Sequence, residues 1–206
     1  GLKKYLFDLT LELGRKERVE KKPLSLSQKL SNMLVDHAVR SKVSLRFGGR
    51  LKAFVSGGAA LNPDIGNFFL SLGVSILQGY GQTEASPIIS CNRPGNIRIE
   101  TVGPALKDVE IKIAEDGEIL VRGELVMKGY WKDPIATKAA IKDGWLHTGD
   151  VGVLEEDGSL RITDRKKDII VISGGDNIAP ARVEGAITVE PCLLYTSDAA
   201  DEGVGV

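Results

Sequence analysis

The chain is poor in cysteine and histidine. Its 206 residues include two cysteines, Cys91 and Cys192, and two histidines, His37 and His147. None stands at a C-x-x-C or comparable ligand spacing, so no structural zinc site is expected. Sparse cysteine fits a reducing cytoplasm. No apolar run approaches the roughly 20 residues that span a bilayer. Gly1–Tyr5 lack both an initiator Met and the apolar core of a signal peptide, so Gly1 is expected to be an internal residue of a longer protein.

At 42% hydrophobic and 27% charged, the composition is that of an ordinary globular protein long enough for one domain or parts of two. The net charge of −1 conceals an asymmetry. Residues 1–52 hold thirteen Lys/Arg against five Asp/Glu, which leaves fourteen against twenty-three in the rest. The basic residues are spread along helices rather than clustered, so they are expected to be solvated helix faces. Contact with an anionic membrane surface is the alternative, and no nucleic-acid partner is expected.

Leu2, Tyr5, Leu6, Leu9 and Leu13 fall on one helical face, and Leu26, Leu30, Met33, Leu34 and Ala38 repeat the pattern beyond Pro23. Both stripes are read as core-packing faces. Lys52–Ser56 reads as a short buried strand leading into Gly57-Gly58-Ala59. A helix follows, with Asn62 as N-cap, Pro63 in its first turn, and Ile65, Phe68, Phe69 and Leu72 on its apolar side. Val74–Leu77 supplies the next strand and delivers the chain to the turn Gly79-Tyr80-Gly81-Gln82-Thr83-Glu84. Strand, helix, strand is a parallel crossover, and the loops at its strand C-terminal ends are where α/β proteins bind ligands.

After about residue 105 the pattern becomes antiparallel. Val109, Ile111 and Ile113 alternate with polar residues, Asp116-Gly117 turns, and Ile119–Arg122 returns. A second hairpin turns at Asp157-Gly158, between Val151–Leu154 and Leu160–Thr163, and a short helix starts at Asp133-Pro134. Beyond Arg165-Lys166-Lys167-Asp168, an apolar strand over Ile169–Ile172 and a helix opened by Pro180 begin a further small domain. The fold class is therefore α/β: part of a parallel-sheet subdomain, a small antiparallel β subdomain, and the start of a C-terminal α+β domain.

The chemistry concentrates at a few positions. Tyr80 offers a planar face for an adenine, the flanking glycines let backbone amides approach a ligand, and Thr83 can donate to a phosphate oxygen. Glu84 suits a magnesium ion shared with triphosphate oxygens. Taken alone, the same residues fit a half-buried Tyr80, a helix-capping Thr83 and a Glu84 in the first helical turn. Asp150, after Gly149, can accept from paired ribose hydroxyls, though alone it reads as a turn aspartate. Arg165 can reach a sugar or α-phosphate, or pair with Asp164 or Asp168. Gly57-Gly58-Ala59 alone fits many strand-to-helix turns.

Together, in order, Val55–Leu61, Gly79–Pro87, Gly117-Glu118 with Val121–Gly123 and Met127–Trp131, Asp143–Asp150, and Asp164–Pro180 resemble the acyl-adenylate-forming superfamily. Asp143–Asp150, Asp164–Asp168 and Ser173–Pro180 look most like long-chain fatty acyl-CoA synthetases. The resemblance implies an acid-thiol ligase that uses ATP, Mg2+ and coenzyme A to turn a fatty acid into acyl-AMP and then a thioester. It implies Gly57, Gly58, Ala59 and Tyr80 around adenine, Thr83 at phosphate and Glu84 at magnesium, the last two as catalytic groups. Asp150 and Arg165 would lie at the ribose, and Lys167 would be the hinge of the C-terminal domain.

The implied organisation is 1–105 for the C-terminal part of the large AMP-binding subdomain, 106–166 for its β subdomain and 167–191 for the start of the small domain. Residues Cys192–Glu202 resemble a translated transposon-type sequencing adapter, so 192–206 is expected to be non-native. The family's triphosphate loop would precede Gly1 and its adenylation lysine would follow Pro191. The chain by itself is thus expected to be inactive. An acyl-AMP ligase, an acyl-carrier-protein synthetase and a non-catalytic AMP-binding module are the alternative readings.

Overall fold

A computed structural model describes residues 1–167 and the backbone of 170–171 and 177–178. The front of the chain is helical: α1 (Leu2–Gly14) ends in a π-helical turn, Arg15–Val19, and α2 (Leu26–Val35) runs through a second one, Asp36–Arg40, into α3 (Ser41–Arg46). Ser25 starts α2 with a capping box, its hydroxyl accepting from the Gln28 amide while the Gln28 side chain accepts from the Ser25 amide.

The two stripes do not both form core. Leu13 is buried with Leu24 and Val35, and Leu6 and Leu9 pack partly against them. Leu2, Tyr5, Leu26, Leu30, Met33 and Leu34 are exposed instead. The cause is polar. Arg40, only 6% exposed, donates to Asn32 Oδ1 (2.7 Å), Asp36 Oδ1 (2.5 Å), the Thr10 carbonyl (3.1 Å) and the Ser71 carbonyl (3.2 Å). A buried guanidinium must be fully paired, so α2 turns its Asn32 and Val35 side inward. The leucine-rich side is left where no described segment covers it.

The crossover forms as expected, with shifted bounds. β1 (Phe54–Ser56) leads through a loop to α4 (Pro63–Ser71), where the Asn62 side chain accepts from the Asp64 and Ile65 amides and Pro63 occupies the first turn. β2 (Ile76–Tyr80) returns parallel to β1, with Ser56 opposite Gln78, and β3 (Ser90–Cys91) adds antiparallel to β2. The first strand is shorter than Lys52–Ser56 and is not buried: Val55 is 69% exposed. Among the described residues it is an edge strand, because their sheet order is β1-β2-β3. On α4, Leu70 and Leu72 are buried while Ile65 and Phe68 stay exposed. The second strand begins at Ile76 rather than Val74, so Gly79 and Tyr80 belong to the strand and the turn starts at Gly81.

The antiparallel part comprises β4 (Glu110–Ile113), β5 (Glu118–Arg122), α5 (Pro134–Ala140), β6 (Ile141–Lys142), β7 (Trp145–Leu154) and β8 (Leu160–Arg165). The order is β4-β5-β7-β6, with β8 also on β7. Both expected hairpins are present, and the Asp133 side chain caps α5 by accepting from the Ala136 amide. Farther on, the backbone of β9 (Ile170–Val171) pairs antiparallel with β10 (Asn177–Ile178). The rest of the expected Ile169–Ile172 strand, the Pro180 helix and Cys192 lie outside the described residues.

One core serves both sheets. Tyr80, Ala85 and Ile89 from the end of the parallel part are buried with Ile119, Val121, Leu146 and Leu160 of the antiparallel part. Replacing Leu146, 1% exposed, by Ala should therefore cost about 2–5 kcal/mol of stability in the intact protein. Leu30→Ala, at a residue 65% exposed, should change the stability of this chain taken by itself by no more than about 0.5 kcal/mol. Chemical denaturation of the two variants checks the contrast.

Candidate functional site

Ser56 and Gln78 are opposite one another on adjacent parallel strands, so the segments that follow them leave the sheet side by side. Gly57, Gly58 and Ala59 leave β1 and are all exposed. Gly81 to Glu84 leave β2. Gly81 is indispensable to that departure: a Cβ there would lie 1.8 Å from the Pro87 carbonyl oxygen and 2.8 Å from Ile88 Cα. The turn folds back on its own outgoing chain too closely for any side chain. Thr83, Glu84 and Ala85 form one 3-10 turn with Gln82 as its cap residue, so Thr83 is the first residue of the turn and not its cap. Its side chain is exposed, whereas Glu84 is half-buried.

Tyr80 closes β2 with 8% of its surface exposed, and its ring packs in the shared core. Its hydroxyl donates to Asp150 Oδ2 at 2.6 Å. Burial, and then that hydrogen bond, push the phenol far above its ordinary pKa, so it stays protonated as a donor. The side chain therefore engages Asp150 through its hydroxyl and leaves little open ring face.

Asp150, 9% exposed on β7, lies opposite Arg165 of β8, and its Oδ1 stands 3.4 Å from Arg165 Nε. The pairing to Asp164 weighed from sequence is not the one found for the Arg165 side chain, since Asp164 Oδ1 instead accepts from the Arg165 backbone amide; Asp168, the other partner weighed, lies outside the described residues. Tyr80, Asp150 and Arg165 thus form a continuous chain from the parallel sheet to the surface. The Arg165 side chain is 72% exposed and can approach a solute. Lys167 follows two residues on, exposed, where β8 ends.

Glu84 is held from another side. Tyr130 donates its hydroxyl to Glu84 Oε1 at 2.8 Å, and the Met127 amide donates to the Glu84 carbonyl. Donating that bond to a carboxylate raises the Tyr130 pKa, because only the neutral phenol can make it. Among the described residues no cation pairs with Glu84, so one carboxylate oxygen remains for a positively charged ligand. No cluster of three metal-ligating side chains occurs among the described residues. Any cation at Glu84 would need further oxygens from a ligand such as a phosphate.

Sequence reasoning missed Tyr130, and it missed a second buried carboxylate, Glu118. Glu118 is 6% exposed and accepts from the Gly149 amide (2.9 Å), Lys166 Nζ (3.1 Å) and the His147 Nδ1 position (3.0 Å). Burial alone would raise its pKa. The bonds from His147, Lys166 and Gly149 outweigh burial and hold it below the usual carboxylate range. Its place directly after the Asp116-Gly117 turn was the available signal, but nothing local in a sequence announces partners about thirty and fifty residues away.

The AMP-binding enzyme family model matches residues 13–131, more than half of the chain. A long-chain-fatty-acid–CoA ligase, FadD15 of Mycobacterium bovis, is 43% identical over 158 residues, covering 77% of this chain and 26% of that protein. The peroxisomal long chain acyl-CoA synthetase 6 of Arabidopsis thaliana is 34% identical over 215 residues, covering 95% of this chain and 30% of that protein. Among solved structures, the O-succinylbenzoate coenzyme A synthetase of Bacillus subtilis, in complex with ATP and magnesium ion, superposes with a TM-score of 0.61 at 35% identity. It covers 68% of this chain and 31% of that one. The chain spans about a quarter to a third of the length of these relatives. On the family match and these identities, this chain belongs to the AMP-binding enzymes.

Proposed function

We propose that this chain is the nucleotide-facing portion of an ATP-dependent long-chain fatty acid:CoA ligase. The observation that carries the reading is the convergence of two loops at the C-terminal ends of adjacent parallel strands, beside the Tyr80–Asp150–Arg165 chain. The names of the fatty-acid–CoA ligase relatives support the substrate class.

In this reading Gly57, Gly58 and Ala59 border the adenine, and Tyr80 forms the floor beneath while holding Asp150. Asp150 and Arg165 take the ribose, and Thr83 takes a phosphate oxygen. A fatty acid carboxylate oxygen bonds to the α-phosphorus of ATP as the bond from that phosphorus to the bridging oxygen breaks, releasing pyrophosphate. The thiol of coenzyme A then bonds to the acyl carbon and AMP leaves. Glu84 would hold Mg2+, and its uncompensated, half-buried carboxylate fits a site whose remaining ligands are phosphate oxygens. The bound ion would neutralise charge on the departing pyrophosphate.

Lys167 would be the point about which a C-terminal domain turns, with 1–105 and 106–166 as the two parts of the large domain. The change from parallel to antiparallel pairing supports that division. No described helix is long and apolar enough to cross a membrane. The finer localisation, cytoplasmic with peripheral contact at the inner membrane face, rests on the basic front of the chain. Flotation of the intact protein with anionic vesicles, lost at high salt, checks it.

The intact protein should release pyrophosphate from ATP only when a fatty acid is present, and should form the acyl-CoA when coenzyme A is added. Transfer to a carrier protein in place of coenzyme A would reassign the acceptor; AMP binding without pyrophosphate release would make the protein a binding module. Glu84→Gln should slow magnesium-dependent pyrophosphate release by on the order of a hundredfold while leaving the thermal midpoint nearly unchanged. Lys167→Pro should slow thioester formation by about tenfold and spare acyl-AMP formation. Separate single-turnover assays of the two half-reactions check both.

A further inference from the structure

The carboxylate of Glu118 stands at a defect shared by two strand pairings. The β5–β7 register shifts between Glu118 and Leu120, and the β7–β8 register shifts between Val151 and Gly152. Such irregularities remove ladder partners from backbone groups, which then need others. Here the Gly149 amide finds its acceptor in the Glu118 side chain, at Oε1, and not in a backbone carbonyl of the neighbouring strand. Gly149 has φ +75, a left-handed conformation that a ladder would not hold. Its carbonyl accepts from the Lys166 amide at 2.9 Å, and Lys166 Nζ returns to Glu118 Oε2 and to Asp116 Oδ2 (2.6 Å).

Gly149 immediately precedes Asp150, and Lys166 immediately follows Arg165. We propose that Glu118 is a positioning residue for the Asp150–Arg165 pair, fixing through Gly149 and Lys166 the two strand positions from which that pair meets the nucleotide. This rests on the nucleotide role proposed above for the pair. A buried carboxylate with three polar partners is a costly way to fill space, since an apolar side chain of similar volume often serves stability as well. What the apolar replacement could not supply is a directed acceptor for an amide in a left-handed turn together with a counter-charge for Lys166. Glu118 spends both oxygens on protein groups, so its action on a ligand is indirect.

The test uses the intact protein with ATP and a fatty acid, following pyrophosphate release. Glu118→Gln keeps the shape but loses the charge. It should raise KM for ATP about tenfold, leaving kcat within about twofold and KM for the fatty acid unchanged. Lys166→Met, at a more exposed residue that should fold, should raise KM for ATP in the same direction, and the double variant should be no worse than Glu118→Gln alone. An unchanged KM for ATP in Glu118→Gln overturns the proposal. So does a loss that tracks only the unfolded fraction while Lys166→Met has no effect. Should Glu118→Gln fail to fold, Lys166→Met decides: a raised KM for ATP supports the proposal and an unchanged one overturns it. If the unaltered protein releases no pyrophosphate, the ligase reading fails and AMP binding decides the positioning claim. About tenfold weaker binding by the variant supports it, and equal binding overturns it.

Discussion

The hydrogen bond from the Tyr80 hydroxyl to Asp150 joins the last residue of a parallel strand to the middle of an antiparallel one. Both side chains are almost fully buried, so each would carry a desolvation cost of about 1–3 kcal/mol without the other. That cost makes the bond a constraint on how the two sheets meet, where the apolar contacts around it would tolerate sliding. The turn beginning at Gly81 and the left-handed Gly149 within β7 are each one residue from the two ends of this bond. Their relative placement follows from it, and so does the meeting of the Glu84 side of the site with the Arg165 side.

Much of this was legible in the sequence because it depends on local chemistry. Asn62 before Pro63, Asp133 before Pro134, and the glycines at 117 and 158 each specify a cap or a turn by themselves, and the structure has those elements there. Gly57 and Gly81 were legible because each stands just past the C-terminal end of a parallel strand, whereas Asp150 lies within β7. The burial of the strand at Phe54–Ser56 was not legible. A run of Ala, Phe and Val reads the same whether it is central or at an edge, and only the strand order distinguishes the two. Tyr80 was legible only in part: an aromatic ring in a glycine-rich segment suggests an open face, and nothing local announces that its hydroxyl bonds to Asp150, seventy residues later.

The helical layer shows the same influence of a buried polar group over an apolar pattern. Periodicity ranks the faces of α2 by hydrophobicity, and the leucine stripe wins that ranking. Arg40 reverses the outcome, because a guanidinium only 6% exposed must have its donors taken, and Asn32, Asp36 and two backbone carbonyls surround it. A buried charge deprived of its partners costs about 3–5 kcal/mol, so the face of α2 that carries them is held inward. Hydrophobic patterning therefore predicts that α2 is a helix more securely than it predicts which side faces in.

Three carboxylates near the site differ in what compensates them, and the difference sorts their roles. Glu118 has an ammonium, an imidazole nitrogen and an amide on its two oxygens, and Asp150 has a phenol and a guanidinium. Each is largely neutralised by its surroundings. Glu84 has only the neutral Tyr130 hydroxyl among the described residues, so its charge is oriented but not cancelled. A group oriented by a neutral donor keeps its full attraction for a cation, whereas one paired to lysine or arginine must first give up that partner. A polyanionic nucleotide approaching the exposed Arg165 would meet repulsion at Glu84 unless a cation came with it. That electrostatic asymmetry is what supports the proposal that Glu84 meets a phosphate accompanied by magnesium.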